Sequence, residues 1–226
     1  MDNAIVESHQ GVTLVGGAPV TAAALALALT HAPRLVAADG GADRLLRLGH
    51  LPEAVIGDMD SLSAPAQMRL AGRIHRIAEQ ETTDFDKALR SISAPFVLGL
   101  GFAGARLDHG LAVLNGLARH PDRRCLILSG QDVAFLAPLR LELALPPGSR
   151  LSLFPLGPVS GTSEGLRWPI DGLRMAPDGM IGTSNQVVAP RVRLGFDAAR
   201  MLVILPRVRL PAVLAALSLP SPVRGG

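Results

Sequence analysis

The sequence predicts an α/β protein: an N-terminal domain over residues 1–137 with a parallel, Rossmann-like sheet, then a smaller all-β, sandwich-like domain over residues 138–226. Three observations predict it. Up to about residue 137, short apolar runs alternate with helical patterns, as in a parallel sheet covered on both faces. Past Pro138 the texture becomes short alternating segments between Gly/Pro turns, which suits an all-β unit. Finally, 226 residues that are 48% hydrophobic and 18% charged can build one large or two small cores, which excludes a disordered chain.

The elements follow in order. Gly11–Gly17 reads as a strand, Thr21–Thr30 as a helix, and Arg34–Ala38 as a strand ending at Asp39-Gly40-Gly41. Ala42–Leu48 is a helix with Gly49 as its stop. Ala54–Gly57 is a strand ending at Asp58-Met59-Asp60, Ala64–Ala71 a helix, and Arg73–Ala78 a strand. Thr83 caps a helix through Ser91, with Asp84 and Asp86 in the first turn, where the helix dipole favours acids. Phe96–Leu100 is a strand, Leu107–Arg119 a helix and Cys125–Ser129 a strand. In the second half Leu139–Leu145 and Arg150–Leu156 alternate around the turn Pro146-Pro147-Gly148, and Val187–Val192 and Ala199–Leu205 read as further strands. Past Arg209 the pattern assigns nothing.

Charge and cysteine content narrow the function classes. The formal net charge is +3, and of 22 basic residues only Lys87 is a lysine. The isoelectric point near 10.3 reflects arginine usage on a small charge excess. It does not make a clustered basic patch, so a nucleic-acid partner is not expected. One cysteine, Cys125 in an apolar run, excludes a disulfide framework and a cysteine-based zinc site. Asp2 and Glu7 without an early apolar block argue against a signal peptide, and no apolar run reaches the roughly 20 residues that span a bilayer. A cytoplasmic protein with no membrane partner is the expectation.

The acids are unevenly placed: ten of 19 lie between residues 39 and 108. Asp39, Asp58 and Asp60 each follow directly on a strand, and Asp84 and Asp108 open helices after strands. In an open parallel sheet the strand C-terminal ends share one edge, where ligands bind. Carboxylates crowded there raise one another's pKa unless a cation neutralises them, and oxygen ligands without His or Cys suit Mg²⁺. Asp58 and Asp60 flank Met59, and alternate residues of an extended segment point the same way.

Two glycine patterns invite different readings. Gly99-Leu100-Gly101-Phe102-Ala103-Gly104 matches the dinucleotide fingerprint, but no acid ends the next strand and Arg106-Leu107-Asp108 crowds the pyrophosphate position. Gly40-Gly41 after Asp39 lets backbone N–H groups approach a phosphate or ribose. No P-loop is present.

Taken together these segments resemble the thiamine pyrophosphokinase family. Asp39-Gly40-Gly41-Ala42-Asp43-Arg44-Leu45 is similar to its D-G-G-A-N-R-L, Ile56–Leu62 to G-D-F-D-S-I, Glu79–Leu89 to D-Q-D-T-T-D-x-x-K-A-L, and Gly104–His109 to G-G-R-x-D-H. Gly165–Ile170 is similar to G-L-K-W-P-L and Gly182-Thr183-Ser184-Asn185 to an S-T-S-N turn. Departures are Glu79 and Glu81 for aspartates, Ala105 for glycine, Asp43 for asparagine, Gly110 for threonine and Val113 for asparagine, with Asn115 two residues further on.

The resemblance implies transfer of pyrophosphate from ATP to the hydroxyethyl group of thiamine, releasing AMP. It implies Asp58, Asp60 and Asp84 as Mg²⁺ ligands, with Asp60 also counted among the catalytic residues, and Asp108 orienting or deprotonating the thiamine hydroxyl. Asp39, Gly40, Gly41, Lys87 and Arg106 would meet the nucleotide. Lys87 lies on the helical face of Asp84, three residues on; pairing with Asp84 alone is the other reading. Gln80, Trp168, Thr183, Ser184 and Asn185 would meet thiamine, whose thiazolium cation suits an aromatic face. The resemblance also implies a homodimer with the site at the subunit interface. Two other readings stay open: a pyrophosphokinase for a pterin-like alcohol, and a non-catalytic regulator that binds thiamine or nucleotide.

Overall fold

The structure, a computed structural model, describes residues 4–104 and 106–219; the departure at Ala105 lies outside them. The chain divides into two compact units at Gly116/Leu117.

The first unit is built on a parallel sheet. Its strands and helices are β1 (Val6–Glu7), β2 (Val12–Val15), α1 (Ala22–His31), β3 (Arg34–Ala38), α2 (Gly41–Arg47), β4 (Ala54–Gly57), α3 (Ala64–Arg69), β5 (Ile74–Arg76), α4 (Asp84–Arg90), β6 (Ile92–Ser93), β7 (Val97–Leu100) and the start of α5 (Leu107–Arg119). The five-stranded order is β7-β2-β3-β4-β5, every pair parallel. β1 and β6 form a separate parallel pair. Every residue of β2, β4 and β7 is buried, as expected of strands covered on both faces, so their sequences are unbroken runs rather than alternating ones. The one polar residue among them, Thr13, donates its hydroxyl to Ala32 O at 2.6 Å and so costs the core little.

Local chemistry starts and stops the helices as read. Thr21, Ser63 and Thr83 accept from the N–H of Ala24, Ala66 and Asp86, each cap contributing about 1 kcal/mol. Gly49 follows α2 with φ +79°, a conformation that glycine enters without strain.

Strand order fixes where a ligand can sit. β3, β4 and β5 extend to one side of β2, whereas β7, next in the chain after the crossover, returns to the other side. The connections leaving β2 and β7 therefore diverge, which opens a crevice beyond the carboxyl ends of the strands.

The second unit is antiparallel. It holds β8 (Cys125–Ser129), β9 (Asp132–Leu136), β10 (Arg140–Ala144), β11 (Arg150–Pro155), β12 (Val159–Glu164), β13 (Arg174–Met175), β14 (Gly182–Gln186), β15 (Arg191–Phe196), β16 (Met201–Pro206) and α6 (Leu210–Ala216). One strand set runs β14-β11-β16-β9-β8 and a second β10-β15-β12-β13. β10 alternates exposed and buried residues, as expected of a strand with one wet face.

The structure departs from the sequence reading at several points: the Gly182–Asn185 segment read as a turn lies in strand β14, and β1, β6, β13 and α6 were not read as elements. The strand expected over Val187–Val192 is mostly the connection between two strands: β14 ends at Gln186 and β15 starts only at Arg191, after Pro190, which has no N–H for a ladder. β9 and β12 were not read as strands; β12, Val-Ser-Gly-Thr-Ser-Glu, lacks an apolar signal, and β9 is held between β8 and β16. β8 and β9, which precede the composition shift near residue 138, form a hairpin whose second strand pairs with β16.

Candidate active site

A cleft of about 760 Å³ opens at the carboxyl edge of the parallel sheet. The Gly16–Ala18 turn after β2 and Gly101–Phe102 after β7 line one part, at the point where strand order reverses. Close packing joins these turns: Ala18 N donates to Gly101 O at 2.9 Å, and a side chain on Gly16 would meet that same oxygen at 2.6 Å. Asp39, Gly40, Asp58 and Asp84 line another part, with Gln80 and Lys87. Phe85 and Phe102, in edge-to-face contact at 4.9 Å, add apolar wall with Val113.

The acidic rim read from sequence is a real cluster. Carboxylate oxygens of Asp39, Asp58 and Asp60 lie within 4.8 Å of one another. Asp39 is 2% exposed, and its Oδ1 is buried without a hydrogen-bond partner. Burial, with Asp60 and Asp84 nearby, pushes the Asp39 carboxyl up to about 6. An orphaned acceptor among three convergent carboxylates fits a hard divalent cation.

Backbone turns make this convergence. Met59 has φ +68°, so Asp58 and Asp60 are not alternate residues of an extended strand, as the sequence suggested. A left-handed turn brings them together, with Asp60 N donating to Asp58 Oδ1 at 3.3 Å. Asp39 is also left-handed, at φ +40°, and its Oδ2 accepts from Ser61 N at 3.1 Å. Left-handed non-glycine residues cost roughly 1 kcal/mol or more each and gather at functional sites. Asp43 adds a second clamp: its carboxylate accepts from Ser63 N at 3.0 Å and Ser63 Oγ at 2.5 Å. Glycine makes the crowding possible, because a Cβ on Gly57 would sit 2.9 Å from Asp39 Cβ and 3.0 Å from Asp84 Oδ1.

Asp84 stands beside this triad, its Oδ1 accepting from Asp58 N at 3.4 Å. It shares Lys87 with Asp58: Lys87 Nζ lies 2.9 Å from Asp58 Oδ2 and 3.4 Å from Asp84 Oδ1. Lys87 is 1% exposed, so it is not a solvated partner of Asp84. The Lys87 bond holds Asp58 below the usual carboxylate range, whereas burial and Asp58 raise Asp84. Burial works against the Lys87 charge, and its bonds to the two carboxylates outweigh it, so its pKa is raised. Gln80 Nε2 also reaches Asp58 Oδ2, at 3.4 Å.

Glu79, a departure from the family pattern, is occupied structurally. It accepts from the backbone of Glu81 and Thr82 and from the Thr82 hydroxyl, and pairs with Arg90 at 2.8 Å. Asp108 is exposed and bound by the Arg106 guanidinium, Nη2 to Oδ2 at 2.6 Å and Nε to Oδ1 at 3.1 Å. Arg106 holds its carboxyl below the usual range, which weakens it as a base. Arg106 and His109 line the cleft.

In the second unit, Trp168 presents an indole that is 54% exposed, with the Arg167 guanidinium 5.0 Å from its ring centre. Asn185 is buried and committed to this loop: Oδ1 accepts from Trp168 N at 3.2 Å and Nδ2 donates to Trp168 O at 2.6 Å. Thr183 and Ser184 are exposed, Ser184 left-handed at φ +60° with its N–H on Ser152 Oγ. The sequence reading missed Arg44, Arg47, His109 and the Gly16–Ala18 turn as cleft residues. A Gly-Gly pair directly after the first long strand was the available signal for that turn.

Fold and site define an α/β protein with an acidic ligand site at the carboxyl edge of a parallel sheet, followed in the chain by an antiparallel β unit. Comparison makes this specific. Residues 25–128 match the thiamin pyrophosphokinase catalytic domain and residues 139–200 the thiamin pyrophosphokinase vitamin B1 binding domain. The chain is 31% identical to thiamine pyrophosphokinase 2 of Oryza sativa subsp. japonica over 205 residues, 75% of this chain and 76% of that protein. Its fold is similar to thiamin pyrophosphokinase from yeast (TM-score 0.73, 17% identity, covering 92% and 93% of the two chains). It is also similar in fold to the Candida albicans enzyme (TM-score 0.72, 16% identity, covering 86% and 88%). The chain belongs to the thiamine pyrophosphokinase family.

Proposed function

We propose that this chain is an ATP:thiamine pyrophosphotransferase, forming thiamine pyrophosphate and AMP. The single observation that carries the reading is the match of both family domains in order along one chain, catalytic and vitamin B1 binding. The second match favours thiamine over a pterin-like alcohol. In the reaction the thiamine hydroxyl oxygen attacks the β-phosphorus of ATP. The bond to the oxygen bridging the α and β phosphates breaks, that oxygen leaves with AMP, and the hydroxyl proton is released.

Catalysis of this kind rests on positioning and charge stabilisation. Asp39, Asp58 and Asp60 would hold Mg²⁺, supported by their convergence and by the orphaned Asp39 oxygen; Asp84 supports the group from its shared contact with Lys87. When bound, the ion supplies charge neutralisation at phosphate oxygens. Lys87 favours the ionised forms of Asp58 and Asp84 and holds both in place, and it lies on the cleft wall. Gly40 lines the cleft and brings bare backbone to the nucleotide, whereas Gly41, buried against the end of β2, lets α2 pack there. Arg106 and Asp108, tied to each other, act as one unit that orients the reacting hydroxyl and phosphate. Gln80, Trp168, Thr183 and Ser184 contact thiamine, and Asn185 positions Trp168. The homodimer with a shared interface site, and a cytoplasmic location, belong to the same reading. Among the described residues no helix is long and apolar enough to cross a membrane.

The test is direct. Purified protein with Mg-ATP and thiamine should form AMP and thiamine pyrophosphate in equal amounts. ADP as the nucleotide product would overturn the pyrophosphoryl mechanism, and thiamine binding without turnover would favour a regulator.

A further inference from the structure

Charge pairing in the cleft leaves two arginines without an acidic partner. Its lining cations are Arg44, Arg47, Lys87 and Arg106. Lys87 is bound to Asp58 and Asp84, and Arg106 is bound through two nitrogens to Asp108. Arg44 and Arg47, three residues apart on α2 and so on one helical face, form no ion pair among the described residues. The acid that directly precedes Arg44 in the chain is already engaged: both carboxylate oxygens of Asp43 accept from Ser63.

What bonds the two arginines do make fix their Nε atoms only. Arg44 Nε donates to Gly17 O at 2.9 Å, which anchors the guanidinium against the turn after β2. Arg47 Nε donates to Asp43 O, one helical turn back, at 3.1 Å. In both cases the partner is a neutral carbonyl, and the Nη groups are left for another acceptor. Gly17, beside Arg44, faces open space: nothing lies within 4 Å of where its Cβ would be. A planar guanidinium with free Nη donors is the group best suited to hold a phosphate through two hydrogen bonds.

Taking the pyrophosphotransferase reading as its basis, we propose that Arg44 and Arg47 are the side chains that bind the polyphosphate of the nucleotide, at the glycine-turn side of the cleft. An anion of that charge needs cations beyond those that the acidic cluster attracts. Among the described residues, these two alone of the cleft's cations are not already neutralised by a carboxylate. The proposal concerns phosphate and not the nucleoside: it places no contact on the base or ribose.

The test measures binding directly, apart from turnover. Mg-ATP, inorganic tripolyphosphate and adenosine are titrated into the full-length protein and into Arg44→Gln and Arg47→Gln, with Arg69→Gln as a control for loss of one exposed charge elsewhere on the same unit. Each cleft variant should bind Mg-ATP and tripolyphosphate at least about tenfold more weakly, with adenosine and the KM for thiamine unchanged. The control should match the unaltered protein. Arg44 also braces a turn, so its variant is read only with an unchanged Tm; Arg47, bonded solely within its own helix, decides the matter if Arg44→Gln fails to fold. Unchanged tripolyphosphate and Mg-ATP affinity in Arg47→Gln overturns the assignment, as does equal weakening in Arg69→Gln. If the unaltered protein binds tripolyphosphate through these arginines but forms no AMP, the proposed activity falls and this site stands. If it binds neither phosphate ligand, both fall.

Discussion

Lys87 Nζ lies 2.9 Å from Asp58 Oδ2 inside the protein, where the lysine is 1% exposed. The only lysine in the chain is thus the internal counter-charge of the acidic cluster. Removing it strands Asp58 and Asp84 beside each other without compensation. Lys87→Met should lower stability by about 3 kcal/mol and abolish turnover. Lys87→Arg keeps the charge but forces a larger planar group into a filled space, and should lose most of its activity. Melting curves with the product assay check both; a silent Lys87→Arg would show that the compact ammonium is not needed.

Asp39 introduces a pH dependence of definite sign. Its carboxyl is raised from an ordinary 3.8 to about 6. Between those values the folded protein keeps a proton that the unfolded chain releases, so stability falls as pH rises through the window and stays lower above it. A shift of two units corresponds to about 3 kcal/mol. Asp39→Asn should flatten this part of the Tm-against-pH profile and raise Tm at pH 7.5 without added metal, and Mg²⁺ should no longer stabilise the protein. A variant profile parallel to that of the unaltered protein would refute the assignment.

Asp58→Asn and Asp60→Asn test the cluster itself. Each should reduce turnover by about a hundredfold or more while the protein stays folded, Asp60→Asn with little loss of Tm because its side chain is exposed. Retained activity in either would remove that residue from the cation site.

Gly41 carries a steric demand that no side chain can meet. A Cβ there would lie 1.9 Å from Val15 O, at the end of β2. Gly41→Ala must push α2 off the strand and should cost about 3 kcal/mol or more, read from denaturant unfolding. A loss below about 1 kcal/mol would mean that α2 can move freely.

Trp168 separates the two substrates. Trp168→Ala should raise the KM for thiamine by about tenfold or more and leave that for ATP within about twofold, since an indole face suits the thiazolium cation. Equal effects on both would indicate that the residue only supports its loop. Asn185→Ala, by freeing that loop, should show the same thiamine-specific pattern more weakly.

Most of this protein could be read before it was folded. Apolar runs around Val12–Val15, Ala54–Gly57 and Val97–Leu100 mark strands buried on both faces, and Thr83 marks a helix start, because these signals are local in the chain. Aspartates after strands already placed an acidic rim at one sheet edge, since parallel strands all end on the same side. The tertiary structure decided which of them meet. Asp39 joins Asp58 and Asp60 through left-handed turns at Asp39 and Met59 that no sequence period announces, and Asp84 shares Lys87 with Asp58. It also decided that Asn185 serves Trp168, seventeen residues away, and that Arg44 and Arg47 line the cleft with no acidic partner among the described residues. The physical reason is one of range: propensity and capping act within a few residues, whereas charge partners and orphaned atoms are set by strand order, which brings chain segments far apart in sequence to one edge.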